Sequence, residues 1–164
     1  MDDYIEKIRV KYNHPDSRKP QHYQYKHSPI IYGAKVQYAE EDDDIPFLDA
    51  DDILRVKSIV GELLFYGNAV NNKLLVSLSK IGKQQAAATQ ATNDAIMKLL
   101  DYVATHPSDG ITFRASDMVL AAHSDAEYFN VTKACSRAGT HIMLSENVLL
   151  PAFNRPILTI DQII

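Results

Sequence analysis

Cysteine and tryptophan are the residues that this chain of 164 residues lacks most, with one cysteine and no tryptophan. Since Cys135 has no partner within the chain, an internal disulfide is excluded, which favours a reducing, intracellular compartment. No apolar run reaches the roughly 18 residues of a membrane-spanning helix, and the acidic residues 1–4 do not begin a signal peptide. The six histidines lack metal-ligand spacing, which argues against structural zinc. We therefore expect an intracellular protein without a membrane partner.

The familiar catalytic motifs are missing as well. The sequence contains no GxxxxGK[ST], GxGxxG, HExxH or CxxC motif and no Gly-x-Ser-x-Gly elbow. Nothing therefore indicates a P-loop, a dinucleotide site, a zinc protease or a serine hydrolase of the elbow type.

The charged residues are unevenly distributed along the chain, although the overall composition is ordinary for a globular protein. Hydrophobic residues make up 46% and charged residues 23%, which excludes a wholly disordered chain. The net charge of −4 is concentrated in residues 40–52, which hold eight acids and no base, whereas residues 53–107 hold six bases and three acids. A mildly basic segment permits contact with nucleic acid but does not require it, and an ordinary solvated face is the favoured explanation.

Residues 1–52 predict a short helix followed by an irregular strap. Ile5 and Ile8 are spaced as on one side of a helix over residues 4–12. Three prolines then break regular structure in a polar stretch. The acidic run 40–44 should form a mobile loop, because adjacent like charges repel.

Residues 53–107 predict three helices with apolar stripes. Asp49, followed by further acids, is expected to cap the first helix, and Asn71 or Asn72 the second. The third helix should cover about residues 92–105. These stripes must pack on one another or on another element.

Residues 108–164 change from helical spacing to alternation and predict antiparallel strands at 110–115, 118–124, 139–144 and 157–160. The segment 118–124 is almost wholly apolar, which is typical of a central strand. The fold class predicted is therefore α+β, helices first and then a three- to four-stranded antiparallel sheet. The apolar residues at the end of the chain suggest a sheet that has been cut.

Asp125 follows the predicted central strand within the sequence His123-Ser124-Asp125-Ala126. A carboxylate at the end of a buried strand is costly unless a cation or hydrogen-bond donors meet it. Magnesium often takes ligands of this kind. The alternative is that Asp125 caps the strand or begins a turn.

The segment HSDAEYFNVTKACSRAGTHIML, residues 123–144, resembles the start of the RNase H domain in copia-type retrotransposon polyproteins. The matching features are Ser-Asp-Ala at 124–126, Ser-Arg-Ala-Gly at 136–139 and a hydrophobic strand at 141–144. Three earlier segments are also similar to the family, in the family's own order: YIEK at 4–7, SIVGELLFYGNAV at 58–70 and LLDYVATHP at 99–107.

The resemblance implies a polyprotein fragment in which a helical thumb- or connection-like part, 53–107, precedes a truncated RNase H-like sheet, 108–164. The parent activity would be reverse transcription with hydrolysis of the RNA strand in RNA–DNA hybrids. Asp125 would be the first of several carboxylates that hold two Mg²⁺ ions. The expected partners are RNA–DNA hybrid, bound weakly, and the missing polyprotein segments. Candidate nucleic-acid contacts are Lys73, Lys80, Lys83 and Arg137.

Departures from the family leave the enzymatic status open. The polymerase motif Tyr-x-Asp-Asp is absent, and the next RNase H carboxylate would lie beyond Ile164. Glu127 and Asp161 are acidic but do not fall at family positions. Since one carboxylate cannot hold two strongly hydrated magnesium ions, we expect the isolated chain to be inactive.

Two alternatives remain, and each predicts a different surface. A non-enzymatic module that binds nucleic acid or protein would present Lys73, Lys80 and Lys83 on one exposed face. A relic reading frame without selected function would instead expose apolar surface where its missing part packed. An enzyme would bring several acids together around Asp125. The RNase H-like interpretation itself depends on segment 118–124 being a central strand.

Overall fold

Residues 3–15, 19–25, 45–131, 135–148 and 154–163 are described by a computed structural model. They fall into two units, a helical unit up to Asp109 and a sheet unit from Gly110 onward. Helices followed by an antiparallel sheet confirm the predicted α+β class. The predicted acidic loop at 40–44 lies outside the described residues.

The helical unit contains α1 (Tyr4–Lys11), α2 (Ala50–Ala69), α3 (Leu75–Gln84) and α4 (Gln90–Thr105). Asp49 caps α2 as predicted, and its side chain accepts a hydrogen bond of 2.8 Å from the backbone N of Asp52. The side chain of Asn71 caps the 3₁₀ turn Asn72–Leu74, which leads into α3. α4 begins two residues earlier than predicted because Thr89 and Thr92 form a capping box.

The helices bury one apolar core. Helix α1 belongs to it, since Ile5 and Ile8 are buried. The hydroxyl groups of Tyr4 and Tyr12 also tie α1 to Glu62 of α2, at 3.2 Å to its carbonyl and 2.9 Å to its carboxylate. The other large apolar side chains that are fully buried come from α2 to α4 and the turn before α3: Val56, Ile59, Leu63, Leu74, Leu78, Ile96, Leu99, Leu100 and Val103.

The sheet unit contains β1 (Val119–Val131), β2 (Cys135–Ser145) and β3 (Pro156–Ile163), all antiparallel and in the order β1-β2-β3. The prediction that segment 118–124 is central is wrong, because β2 is the middle strand and β1 pairs with β2 alone among the described residues. Leu120 of β1 is 68% exposed, so the apolar run is not a buried one. Apolar character therefore did not distinguish a central strand from an exposed strand at the edge of the described sheet.

The predicted strand 110–115 is also wrong, since residues 110–118 form no strand. The backbone of Arg114 instead forms two hydrogen bonds with the side chain of Asn154. The Arg114 backbone N donates to Asn154 Oδ1 at 3.1 Å, and Asn154 Nδ2 donates to the Arg114 carbonyl at 2.9 Å. Met118 then has a φ of 61°, which interrupts an extended chain just before β1. The strands predicted at 118–124 and 139–144 are longer than expected, because β1 continues to Val131 and β2 already begins at Cys135.

The register separates two faces of the sheet, because directly opposed residues of antiparallel strands point to the same side. What we call the apolar face is formed by Leu120 and Ala122 of β1, Ile142 and Leu144 of β2, and Leu158 and Ile160 of β3. Leu158 and Ile160 are 47% and 46% exposed. The sheet unit therefore presents apolar surface from all three strands.

Candidate functional site

Asp125 lies inside β1 rather than at its end, because the strand continues to Val131. The residue is exposed, and its Oδ1 accepts a hydrogen bond of 2.8 Å from the backbone N of Ala126. The expectation of a partly desolvated carboxylate at the mouth of a buried strand is therefore wrong. What the structure provides instead is a solvated carboxylate, accessible to an ion or a ligand.

The strand register places Asp161 on the same face as Asp125. Asp125 is opposite Gly139 of β2, and Gly139 is opposite Asp161 of β3. Because neighbouring strands lie about 4.8 Å apart, the two aspartates are about 10 Å apart at their Cα atoms. Glycine leaves the position between them without a side chain. Sequence reasoning noted Asp161 as an available acid, but only strand pairing shows its relation to Asp125.

Asp161 is engaged by Arg137, which precedes Gly139 by two residues on the same face. The Arg137 Nε lies 3.4 Å from Asp161 Oδ1, and the Asp161 side chain is 6% exposed. This ion pair balances the Asp161 charge locally. Arg137, predicted as a nucleic-acid contact, therefore has its charge directed largely toward a neighbouring carboxylate.

Two histidines extend this side of the sheet, which we call the polar face. His123 is opposite His141, and His141 is opposite Thr159. The His141 Nδ1 lies 3.0 Å from Thr159 Oγ1. Within the described ranges, however, no three His, Cys, Asp or Glu side chains are close enough to hold a metal ion together. Asp125 as a magnesium ligand stays a prediction.

The three predicted lysines lie together along α3 and the turn before it. Lys73 Nζ is 3.0 Å from Asp109 Oδ2, whereas Lys80 Nζ lies 5.1 Å from the centroid of the Tyr25 ring. Lys80 and Lys83 are three residues apart and share a side of α3. Exposed Lys83 is near the end of this helix. Arg137 belongs to the other unit, so the predicted set of basic residues is divided between two units.

An open groove of about 430 Å³ lies beside Lys80 in the helical unit and is lined by His22, Tyr23, Gln24, Tyr25, Val76 and Tyr102. Segment 19–25, which has no helix or strand, forms one wall. Ser77 Oγ donates a hydrogen bond of 2.6 Å to Gln24 Oε1 and holds this wall on α3. The Tyr23 side chain is 74% exposed. The groove was not predicted from the sequence. Tyr23 and Tyr25 alternate with polar residues in segment 19–25, and this pattern does not indicate which helix the segment packs against.

Comparisons of this chain with protein-family models, with curated proteins and with solved structures found no match. In the parts of the chain that the structure describes, no helix is both long and apolar enough to cross a membrane.

Proposed function

We propose that the chain is part of a retroelement polyprotein, with a thumb- or connection-like helical part and the first strands of an RNase H-like domain. The activity of the parent would be reverse transcription and hydrolysis of the RNA strand in RNA–DNA hybrids. The isolated chain would lack that activity.

The observation that carries this proposal is the agreement between the resembling segments and the elements on which they fall. YIEK lies in α1, and most of LLDYVATHP lies in α4. The Ser-Asp-Ala motif lies in β1, and the hydrophobic residues 141–144 lie in β2. The resembling segments therefore fall first on helices and then on strands, which is the order that the resemblance implies.

The edge position of β1 restricts the form of the proposal. The RNase H-like interpretation depends on segment 118–124 being central, and among the described residues β1 is instead an outer strand, which counts against the interpretation in that form. The proposal therefore requires a further strand, supplied by another part of the polyprotein, to pair with the outer edge of β1. Among the described residues, no strand pairs with the outer edge of β1, and such an edge is a template for pairing. The apolar face also gives the added segment surface to cover.

The polar face explains why the chain by itself should be inactive. Two-metal hydrolysis holds both ions about 3.5–4 Å apart between several carboxylates. Asp125 is accessible, but Asp161 is about 10 Å away at Cα and paired with Arg137. Magnesium retains its water shell unless more ligands converge, so Asp125 needs carboxylates from the missing segment.

The test extends the chain by the coding sequence that follows Ile164 and measures magnesium-dependent cleavage of RNA in an RNA–DNA hybrid. We expect no cleavage by residues 1–164, cleavage by the extended chain, and its loss in Asp125→Asn. Asparagine keeps the oxygen that accepts from Ala126 but removes the charge. Asp117→Asn is the matched control, because Asp117 is exposed in the same unit, outside the three strands, and accepts one backbone hydrogen bond from Asn147.

Two results would contradict the proposal. One is cleavage by residues 1–164 that Asp125→Asn leaves unchanged. The other is an extended chain in which the outward-facing amides of β1 exchange with solvent as fast as in residues 1–164. The second measurement is independent of activity, since a strand added to β1 must protect those amides.

A second candidate, a module that binds nucleic acid weakly, is favoured by the groove. Exposed aromatic rings such as Tyr23 can stack on bases, and Lys80 stands beside Tyr25 at the same groove. Binding to an RNA–DNA hybrid should weaken as salt rises, because counterions are released. Lys80→Gln should reduce the slope of log affinity against log salt by about one, whereas Lys57→Gln on α2 should not. Binding that does not depend on salt would refute this candidate.

A further inference from the structure

His22 and His106 face each other in the helical unit, although 84 residues separate them in the sequence. His22 belongs to segment 19–25, and His106 is the C-terminal cap of α4. The Nδ1 atom of His22 lies 3.4 Å from the Nε2 atom of His106, with ring centroids 5.4 Å apart and ring planes at 62°.

This nitrogen–nitrogen distance fits shared coordination of one ion. Two imidazole nitrogens that bind the same tetrahedral zinc at 2.0–2.1 Å stand about 3.3–3.4 Å apart. A hydrogen bond between the two rings is the alternative, and it would be a long one, since ordinary N–H···O bonds measure about 2.7–3.2 Å. The pair therefore has the spacing of two ligands on adjacent corners of a tetrahedron.

Neighbouring contacts hold both rings in place. The ring of Tyr102 lies 4.7 Å from that of His106, centroid to centroid. The backbone N of Gln21 donates to Thr105 Oγ1 at 2.9 Å, which joins the residues that directly precede His22 and His106. Both nitrogens can thus be presented to an ion without rearrangement of the backbone.

The surroundings also favour a cation. His106 ends α4, and carbonyl groups at the C-terminal end of a helix carry partial negative charge. His22 is exposed, so an ion can reach the pair from solvent and retain water in its remaining positions. Since the described residues bring no third His, Cys, Asp or Glu into such a group, the ion should exchange readily.

We propose that His22 and His106 bind one divalent first-row transition metal ion of the class that prefers imidazole, Zn²⁺ or Cu²⁺. The ion links segment 19–25 to the end of α4 and so fixes one wall of the groove. Both contacting nitrogens are then unprotonated, with the ring protons on His22 Nε2 and His106 Nδ1. This site is independent of the retroelement proposal and lies in the other unit from Asp125.

The test titrates Zn²⁺ into the metal-free 164-residue chain by calorimetry. We expect one ion per chain, with affinity reduced at least about tenfold in His22→Ala and in His106→Phe. Phenylalanine keeps a ring against Tyr102, so loss of binding there is not loss of packing. His123→Ala is the matched control, because it removes an exposed histidine of β1.

A second readout identifies the ligands. The Cu²⁺ form should show electron paramagnetic resonance coupling to two nitrogens, reduced to one in either single variant. The proposal is overturned by absence of binding, by binding that survives both substitutions, or by an equal loss of affinity in His123→Ala.

Discussion

Two glycines of α2 make opposite predictions for the same substitution. Gly61 is exposed, and a Cβ atom added there meets nothing within 4 Å. Gly67 is buried where α2 meets the start of α3, and an added Cβ would lie 3.1 Å from Leu75 Cδ2 and 3.5 Å from Leu78 Cδ1. At Gly61 the substitution to alanine changes helix propensity alone, whereas at Gly67 the same gain in propensity is opposed by crowding.

The magnitudes follow from these distances. Alanine in place of glycine within a helix contributes about 0.5–1 kcal/mol, so Gly61→Ala should raise the free energy of unfolding by that amount. At Gly67 the same gain is opposed by a contact that Leu75, itself 5% exposed, must relieve. Overpacking of a core costs about 1–3 kcal/mol. Gly67→Ala should therefore be less stable than Gly61→Ala by at least about 1 kcal/mol.

Urea unfolding followed by circular dichroism at 222 nm measures this difference, since the signal reports mainly the helical unit. With m values of about 1–3 kcal/mol/M, the two midpoints should differ by about 0.3–1 M at unchanged m. Equal midpoints for the two variants would refute the close approach of α2 to α3 at Gly67.

Two further predictions concern the same unit. Asp49→Ala should lower the free energy of unfolding by about 1 kcal/mol, because it removes the cap of α2. Asp51→Ala leaves the cap in place and should lower the free energy of unfolding by only about 0.3 kcal/mol. Urea unfolding measures both variants, and equal effects would contradict the role of Asp49 as the cap. The second prediction concerns alkaline pH. The pKa values of Tyr4, Tyr12 and Tyr66 are raised, and burial is the largest cause in each case. The folded state then holds phenol protons that the unfolded state loses, so stability should fall as pH rises above about 10, and Tyr12→Phe should make that fall shallower in urea midpoints.

Local signals in the sequence predicted the helical unit well. The apolar spacing of α2 and the acids after Asp49 act within a few residues, and both the helix and its cap are confirmed. The beginning of α4 was misplaced because its cap uses two threonines, Thr89 and Thr92, rather than the acidic pattern that marks α2.

The sheet and the candidate sites depend on pairings that no local pattern contains. The apolar run of β1 is equally compatible with a central strand and with an exposed edge, and strand order decides between them. The relation of Asp125 to Asp161 requires two registers. The meeting of His22 with His106 depends on the path of the chain over 84 residues, which spacing does not reveal.

The long separation of contacts at the N-terminus has a consequence for synthesis on the ribosome. Tyr12 bonds to Glu62, 50 residues later, and His14 to Asp101, 87 residues later. At about 5–20 residues per second, the ribosome needs about 4–17 s to deliver the partner of His14. The first helix therefore emerges well before its binding surface exists.

During those seconds Ile5 and Ile8 have no core to enter, so docking of α1 must be a late event in formation of the helical unit. The strands behave differently, because each pairs with the strand made just before it. On a translating ribosome the sheet can thus assemble in step with synthesis, whereas the N-terminal segment must wait for α4.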